Sequence, residues 1–154
     1  MNFAKDKFMV EDGVMLVNKG LRLGTHALEE LACSETDKNA KGIGCYMLAQ
    51  SIELLLKGLC NIFGETPPAH HIIKYPARIL YNIYETKVPE LHIIIDDLQD
   101  ISNNAFAYVI QTWQVDGRYN DVSSQQSYID KAELVYHGLK RFIYNNKLHE
   151  LSLE

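Results

Sequence analysis

The chain has 154 residues, of which 47% are hydrophobic and 23% are charged, values typical of one globular domain. Its formal net charge of −5 argues against a broad nucleic-acid-binding face or an anionic-membrane-binding surface, although it leaves room for a local basic pocket. We therefore expect a single domain over residues 1–154.

Apolar residues recur at spacings of three, four and seven near the N-terminus, which predicts an amphipathic helix from about Met9 to Cys33. Three glycines lie within it: Gly13, Gly20 and Gly24. They either weaken the helix by up to about 1 kcal/mol each relative to alanine or mark close packing against a neighbouring helix. The polar stretch Ser34–Lys41 predicts a loop, and a second helix is expected from about Gly42 to Phe63, with Gly64 as its C-cap.

Prolines mark the next helices. Pro67-Pro68 excludes a helix from the following loop, because proline lacks an N–H and restricts the residue before it. Pro76 is expected in the first turn of a third helix, about Pro76–Thr86, and Pro89 opens a fourth that runs to Ile101. Ser102–Asn104 is expected to break or kink this fourth helix before Ala105–Trp113.

The last helix follows a loop at Asp116–Ser124. Ser123 and Gln126 have the spacing of a capping box, and an apolar face extends from Tyr128 to Ile143. No stretch alternates polar and apolar residues for long enough to predict a sheet. We therefore expect an all-α protein, a mostly antiparallel bundle of four to five helices.

Three cysteines, Cys33, Cys45 and Cys60, are too few and too irregularly spaced for a disulfide framework or a zinc site. Each lies in an apolar helical context, so we expect buried thiols and a reducing compartment. The N-terminus lacks the pattern of a signal peptide. The most hydrophobic segment carries Glu53 and Lys57 near its middle, which argues against a membrane span. Cytoplasmic localisation is therefore expected.

A polar stripe crosses the second helix, whose other residues are apolar or small. Gln50, Glu53 and Lys57 fall within roughly 60° of one another on a helix, and Tyr46 heads the same stripe. One interpretation is an exposed ion pair, because Glu53 and Lys57 have the favourable i,i+4 order. The other is a groove that meets a ligand or partner. Burying these groups unpaired would cost several kcal/mol, so we expect them to have defined partners.

Histidine and arginine supply the other candidate residues. The side chains of His70 and His71 do not face one another because the residues are adjacent, so the pair is a poor signal for a metal site. No metal-ligand or phosphate-loop motif is present, and we expect neither metal nor cofactor. Arg118 lies in the loop before the last helix, where it could clamp a carboxylate or phosphate. From the residues alone, a surface ion pair is the favoured interpretation of Arg118.

These motifs together resemble the HEPN family (higher eukaryotes and prokaryotes nucleotide-binding domain), a bundle of about five helices. Gln50–Lys57 matches the family's second-helix pattern Q-x-x-E-x-x-x-K. Pro67-Pro68-Ala69-His70 matches its proline-containing loop that ends in histidine, and His71 stands where the family frequently has aspartate. Arg118-Tyr119 matches a pair that is common before the final helix. The resemblance covers the order of elements from about Gly42 to Phe142.

The resemblance implies a homodimer that associates with a nucleotide or RNA, and partnership with a small nucleotidyltransferase in a toxin–antitoxin or phage-defence pair. The implied ligand-binding residues are Gln50, Glu53, Lys57, His70, Arg118 and Tyr119. Ribonuclease members of the family carry an arginine followed, after four to six positions, by histidine. No arginine of this chain has that spacing. We therefore expect a member of a non-ribonuclease branch, which binds rather than cuts.

Two other functions remain open. The chain could be a metal-independent endoribonuclease, with His70 or His71 as the acid–base group and Arg118 at the phosphate. It could also be a structural or interaction subunit, in which the polar stripe braces a helix packing or a dimer interface.

Overall fold

The computed structural model of this chain describes residues 2–33, 37–84, 89–99, 105–116 and 122–152. These residues form six α-helices: α1 (Lys7–Ala32), α2 (Lys38–Ile62), α3 (Lys74–Tyr84), α4 (Pro89–Gln99), α5 (Ala105–Asp116) and α6 (Gln126–Asn145). Single turns of 3-10 helix precede and follow α6, at Ser123–Gln125 and Leu148–Glu150. The described residues contain no β-strand, so the predicted all-α bundle is confirmed.

The helix count is six rather than four to five because the region expected to hold a kinked or broken fourth helix forms two helices. The first of them, α4, begins at Pro89 as predicted. Residues 100–104, between α4 and α5, lie outside the described part of the chain. Helix α3 begins two residues before Pro76, which still leaves this proline in the first turn, where its missing N–H removes no helical hydrogen bond.

Helices α1 and α2 begin earlier than their apolar patterns predict because an aspartate caps each of them. The Asp6 side chain accepts hydrogen bonds from two backbone amides in the first turn of α1. Asp37 accepts a hydrogen bond from the backbone N–H of Asn39, so the second half of the predicted loop 34–41 is the first turn of α2. Such caps satisfy amides that have no acceptor inside the helix.

Of the two other predicted caps, Gly64 lies one residue beyond the C-cap, which is Phe63, and the capping box at Ser123 is wrong. Gly64 has φ of 89°, a left-handed conformation that favours glycine, and the next N–H donates back to the carbonyl of Cys60 at 2.8 Å. Ser123 opens the 3-10 turn instead of capping α6. The Gln126 amide donates forward to Asp130 at 2.8 Å rather than turning back to the serine.

Helices α1 and α2 form a closely packed antiparallel pair. A Cβ placed on Gly13 would lie 2.7 Å from the carbonyl oxygen of Gly58, so only glycine allows the two backbones this approach. About two turns further along α1, the carbonyl of Gly20 accepts a hydrogen bond from Ser51 Oγ of α2 at 2.6 Å. The glycines of α1 therefore mark close helix packing, the second of the two alternatives.

Helix α2 is the central helix of the bundle. Its segment Asn39–Ile62 is long and apolar enough to cross a membrane by length and composition, and 67% of its most apolar window is buried inside the protein, as in a core helix. Helix α6 packs across the α1–α2 pair, where the Tyr136 hydroxyl donates to the carbonyl of Leu21 at 3.1 Å.

The cysteines divide into two buried residues and one exposed residue. Cys45 and Cys60 of α2 lie in the core, as predicted. The prediction that Cys33 is also buried is wrong, because Cys33 is the C-cap of α1, at a point where the helix ends at the surface.

Candidate functional site

Glu53 is the only charged residue that the described part of the chain buries. Its side chain is 5% exposed, and its neighbours Ile52 and Leu55 on α2 are fully buried. An ionised carboxylate is stable in such surroundings only when donors replace the water that it has lost. The donors around Glu53 therefore define the site.

Three donors from three parts of the chain meet the Glu53 carboxylate. Lys57 Nζ, one turn further along α2, lies 2.7 Å from Oε1. His71 Nδ1, in the loop between α2 and α3, lies 2.9 Å from the same oxygen. The Gln114 side-chain amide, on α5, donates to Oε2. Both carboxylate oxygens are thus occupied, and Glu53 joins α2 to a loop and to a second helix.

A second glutamine of α5 holds the backbone of the same loop. Gln111 Nε2 donates to the carbonyl oxygen of His71 at 2.7 Å, and its Oε1 accepts the N–H of Ile73 at 3.0 Å. The amide therefore bonds the loop as a neighbouring strand would, through one donor and one acceptor. We call Glu53, Lys57, His71, Gln111 and Gln114 the Glu53 cluster.

The predicted polar stripe is divided into two parts. Glu53 and Lys57 belong to the Glu53 cluster, whereas the half-buried Gln50 donates its amide to the Tyr46 hydroxyl at 2.8 Å. The pair of Gln50 and Tyr46 lies on the same helix face but makes no hydrogen bond to the cluster. The expectation that the stripe has defined partners is confirmed.

The remaining predicted site residues lie apart from the cluster or outside the described chain. His70 is exposed, with its ring centroid 6.3 Å from that of Tyr75, and no hydrogen bond joins it to Glu53. Arg118 and Tyr119 fall within residues 117–121, which the structure does not describe.

Sequence reasoning missed both glutamines of the cluster. Gln111 and Gln114 are three residues apart on α5, whose other described residues are mostly apolar. Two amides at helical spacing on an otherwise apolar helix form the same signal as the stripe on α2. That signal could have identified them, although it could not have named their partners.

His71 combines exposure with fixed orientation. Its side chain is 83% exposed, yet its Nδ1 bonds a buried carboxylate and its carbonyl oxygen bonds Gln111. An ionised carboxylate can only accept, so Nδ1 carries a proton, and the second ring nitrogen, Nε2, has no hydrogen bond to any residue that the structure describes. The arrangement fixes the imidazole by one nitrogen and leaves most of the ring exposed to solvent.

The contacts of the cluster are hydrogen bonds and one ion pair between Lys57 and Glu53. Within the described ranges, no group of three or more His, Cys, Asp or Glu side chains is arranged to hold a metal ion. Comparison with protein-family models, with curated proteins and with solved structures finds no match to this chain. The class of protein defined here is thus an all-helical bundle with a buried carboxylate that orients an exposed histidine.

Proposed function

We propose that this chain is a HEPN-like helical binding protein that holds a nucleotide or an RNA segment at the surface beside the Glu53 cluster. The observation that carries the proposal is the contact between the helix motif and the residue directly after the proline–histidine motif. Glu53 and Lys57 belong to the helix motif, and His71 directly follows the proline–histidine motif. Lys57 and His71 both contact the same carboxylate oxygen of Glu53. A few polar groups that converge from separate parts of the chain are typical of a binding site.

The donors of the cluster suit an anionic ligand. An ammonium group has three N–H donors, and Glu53 takes one from Lys57, which leaves two for a ligand oxygen. The Lys57 side chain is 15% exposed, so its charge is only partly screened by water. Phosphate oxygens accept charge-assisted hydrogen bonds from lysine and histidine, and these are stronger than bonds between neutral groups.

The proposal favours binding over cleavage. The arginine-to-histidine spacing of the ribonuclease members is absent, and His71 is the one histidine that the cluster holds in place. The resemblance extends the proposal to a homodimer and to a small nucleotidyltransferase partner in a toxin–antitoxin or phage-defence pair.

Calorimetric titration with AMP, ATP, GTP and a short oligoribonucleotide tests the proposal. We expect at least one of them to bind, and Lys57→Ala to weaken that binding roughly tenfold or more, because one charge-assisted hydrogen bond is lost. Lys7→Ala is the matched control. Lys7 also lies one turn from a glutamate, with its Nζ 3.9 Å from Oε1 of Glu11, but both side chains are exposed on α1. The control should bind as tightly as the wild type.

Four results would count against the binding proposal. If no ligand binds the wild type, or if Lys57→Ala binds as tightly as Lys7→Ala, the cluster is not a binding site. If no ligand raises the melting temperature, the structural-subunit alternative is favoured, because a ligand that binds only the native state stabilises it by mass action. Cleavage of total RNA that His70→Ala or His71→Ala abolishes would favour the endoribonuclease alternative.

A further inference from the structure

The exposed ring nitrogen of His71 specifies how a ligand would bind. We infer that His71 Nε2 donates a hydrogen bond to a phosphate oxygen of the ligand, and that the protein takes up a proton at this nitrogen when the ligand binds. This inference rests on the proposed function, since it names the chemistry by which the same site would recognise a nucleotide or RNA.

The tautomer of His71 follows from its partner. An ionised carboxylate has no proton to give, so the hydrogen atom between His71 and Glu53 belongs to Nδ1 in both the neutral and the charged imidazole. Nε2 is therefore the nitrogen at which the neutral imidazole and the imidazolium ion differ. When neutral, Nε2 is an acceptor and repels a phosphate oxygen; when protonated, it is a donor and attracts one.

Protonation of His71 changes the net charge of the group that it forms with Glu53 and Lys57. Glu53 and Lys57 of α2 cancel one another while the imidazole is neutral, and protonation of His71 leaves the group with one net positive charge. Helix α5 contributes two neutral amides. The same loop also carries Glu65 and His70, and α3 begins with Lys74; within the described residues, none of these side chains is bonded to the His71 ring. Anion binding and protonation of His71 therefore favour one another.

The loop is held in the geometry that this inference requires. Gln111 fixes the backbone on both sides of Ile72, through the carbonyl of His71 and the N–H of Ile73. Glu53 fixes the ring itself at 2.9 Å. A ligand would then meet an imidazole whose orientation is already set, so little side-chain entropy is lost on binding.

The experiment compares a phosphodiester with a phosphomonoester and an uncharged nucleoside. The probes are the dinucleotide ApA, AMP and adenosine, titrated by calorimetry in two buffers of different ionisation enthalpy, at several values between about pH 6 and about pH 8. ApA is the decisive probe, because its phosphodiester does not titrate in this range, whereas the phosphate of AMP has a pKa of about 6. The relative affinities of ApA and AMP tell an RNA backbone from a free nucleotide.

The variants are His71→Gln and, as the matched control, His26→Gln. His26 is also a histidine paired with a glutamate, 3.5 Å from Glu29, but both side chains are exposed on α1. For the wild type and for His26→Gln, we expect uptake of up to about one proton on binding and an affinity for ApA that falls by up to about tenfold per pH unit. For His71→Gln, we expect weaker binding, no proton uptake and no such pH dependence. Nitrogen NMR of the wild-type histidine rings, with and without ApA, detects the proton at Nε2 directly and does not depend on a variant that folds.

The possible outcomes separate the two claims. If ApA or AMP binds, but proton uptake is the same in His71→Gln as in the wild type, or the Nε2 signal does not change, the inference is wrong while the binding proposal stands. If adenosine binds as tightly as ApA and AMP, phosphate recognition is likewise refuted. If the wild type binds neither these probes nor ATP, GTP or the oligoribonucleotide, both the inference and the binding proposal are wrong.

Discussion

Removal of the Glu53 carboxylate is the most direct test of the cluster as a structural unit. Glu53→Ala takes away the shared acceptor and leaves Lys57 and Gln114 in place. The ammonium of Lys57 and the amide of Gln114, a residue that is 7% exposed, would then lie in the interior without an acceptor. We expect a large loss of stability for this reason, and not because the side chain itself is large.

The magnitude follows from the burial of each partner. Breaking a buried ion pair by removing one member costs about 3–5 kcal/mol. Lys57 keeps some contact with water, and His71 adds little because a strongly exposed group is well solvated without its partner. We therefore expect Glu53→Ala to lower the free energy of unfolding by about 3 kcal/mol. For a chain of this length, that loss corresponds to a fall of roughly 6–12 °C in melting temperature.

Urea unfolding, followed by circular dichroism and by the fluorescence of the single tryptophan, Trp113, measures this loss. Trp113 is buried next to Gln114 on α5, so its fluorescence reports on the helix that the cluster holds. Lys57→Met and the double variant complete a thermodynamic cycle. Lys57→Met should destabilise the wild type, because the buried carboxylate then lacks its ammonium partner, but it should be neutral or stabilising in the Glu53→Ala background. The coupling should reach at least about 1 kcal/mol.

The matched control for this cycle is the exposed pair of Lys7 and Glu11, in which Glu11→Ala should cost about 0.5 kcal/mol or less. The reasoning is refuted if Glu53→Ala costs no more than this control. It is also refuted if Lys57→Met has the same effect in both backgrounds, because the two charges would then not interact.

Two further predictions concern the core. Gly24→Ala should destabilise the protein by about 1–3 kcal/mol, measured by urea unfolding, because the new Cβ would lie 2.1 Å from the buried ring of Tyr136. This loss should exceed the gain from the better helix propensity of alanine, and a variant as stable as the wild type would contradict the prediction. Burial raises the pKa of the thiols of Cys45 and Cys60 to about 12, so at about pH 8 a thiol reagent counted by mass spectrometry should modify only the exposed Cys33 in the native protein and all three cysteines in urea. Since folding raises these two pKa values, the contribution of the thiols to stability is complete below the ordinary thiol pKa and is lost as the pH rises towards about 12. A free energy of unfolding that stays constant between the ordinary thiol pKa and about pH 12 would contradict the raised pKa values.

Local pattern was enough to predict the bundle and the burial of α2. The apolar repeat of a helix involves residues within a few turns of one another, so it can be recognised without knowledge of the rest of the chain. For the same reason, the pairing of Glu53 with Lys57 could be predicted from their spacing, since residues four apart on a helix are neighbours. The need for further partners also followed from the apolar surroundings alone.

The identity of those partners was decided by tertiary structure alone. Gln114 is 61 residues from Glu53 and His71 is 18 residues away, and no local rule relates such positions. Gln50, by contrast, shares the helix face of Glu53 but bonds Tyr46 instead. A helix determines which side chains share one of its faces; which of them meet a second helix or a loop depends on where those elements cross it. The polar stripe was therefore visible in the sequence, while the histidine that the buried carboxylate orients became visible only in the folded bundle.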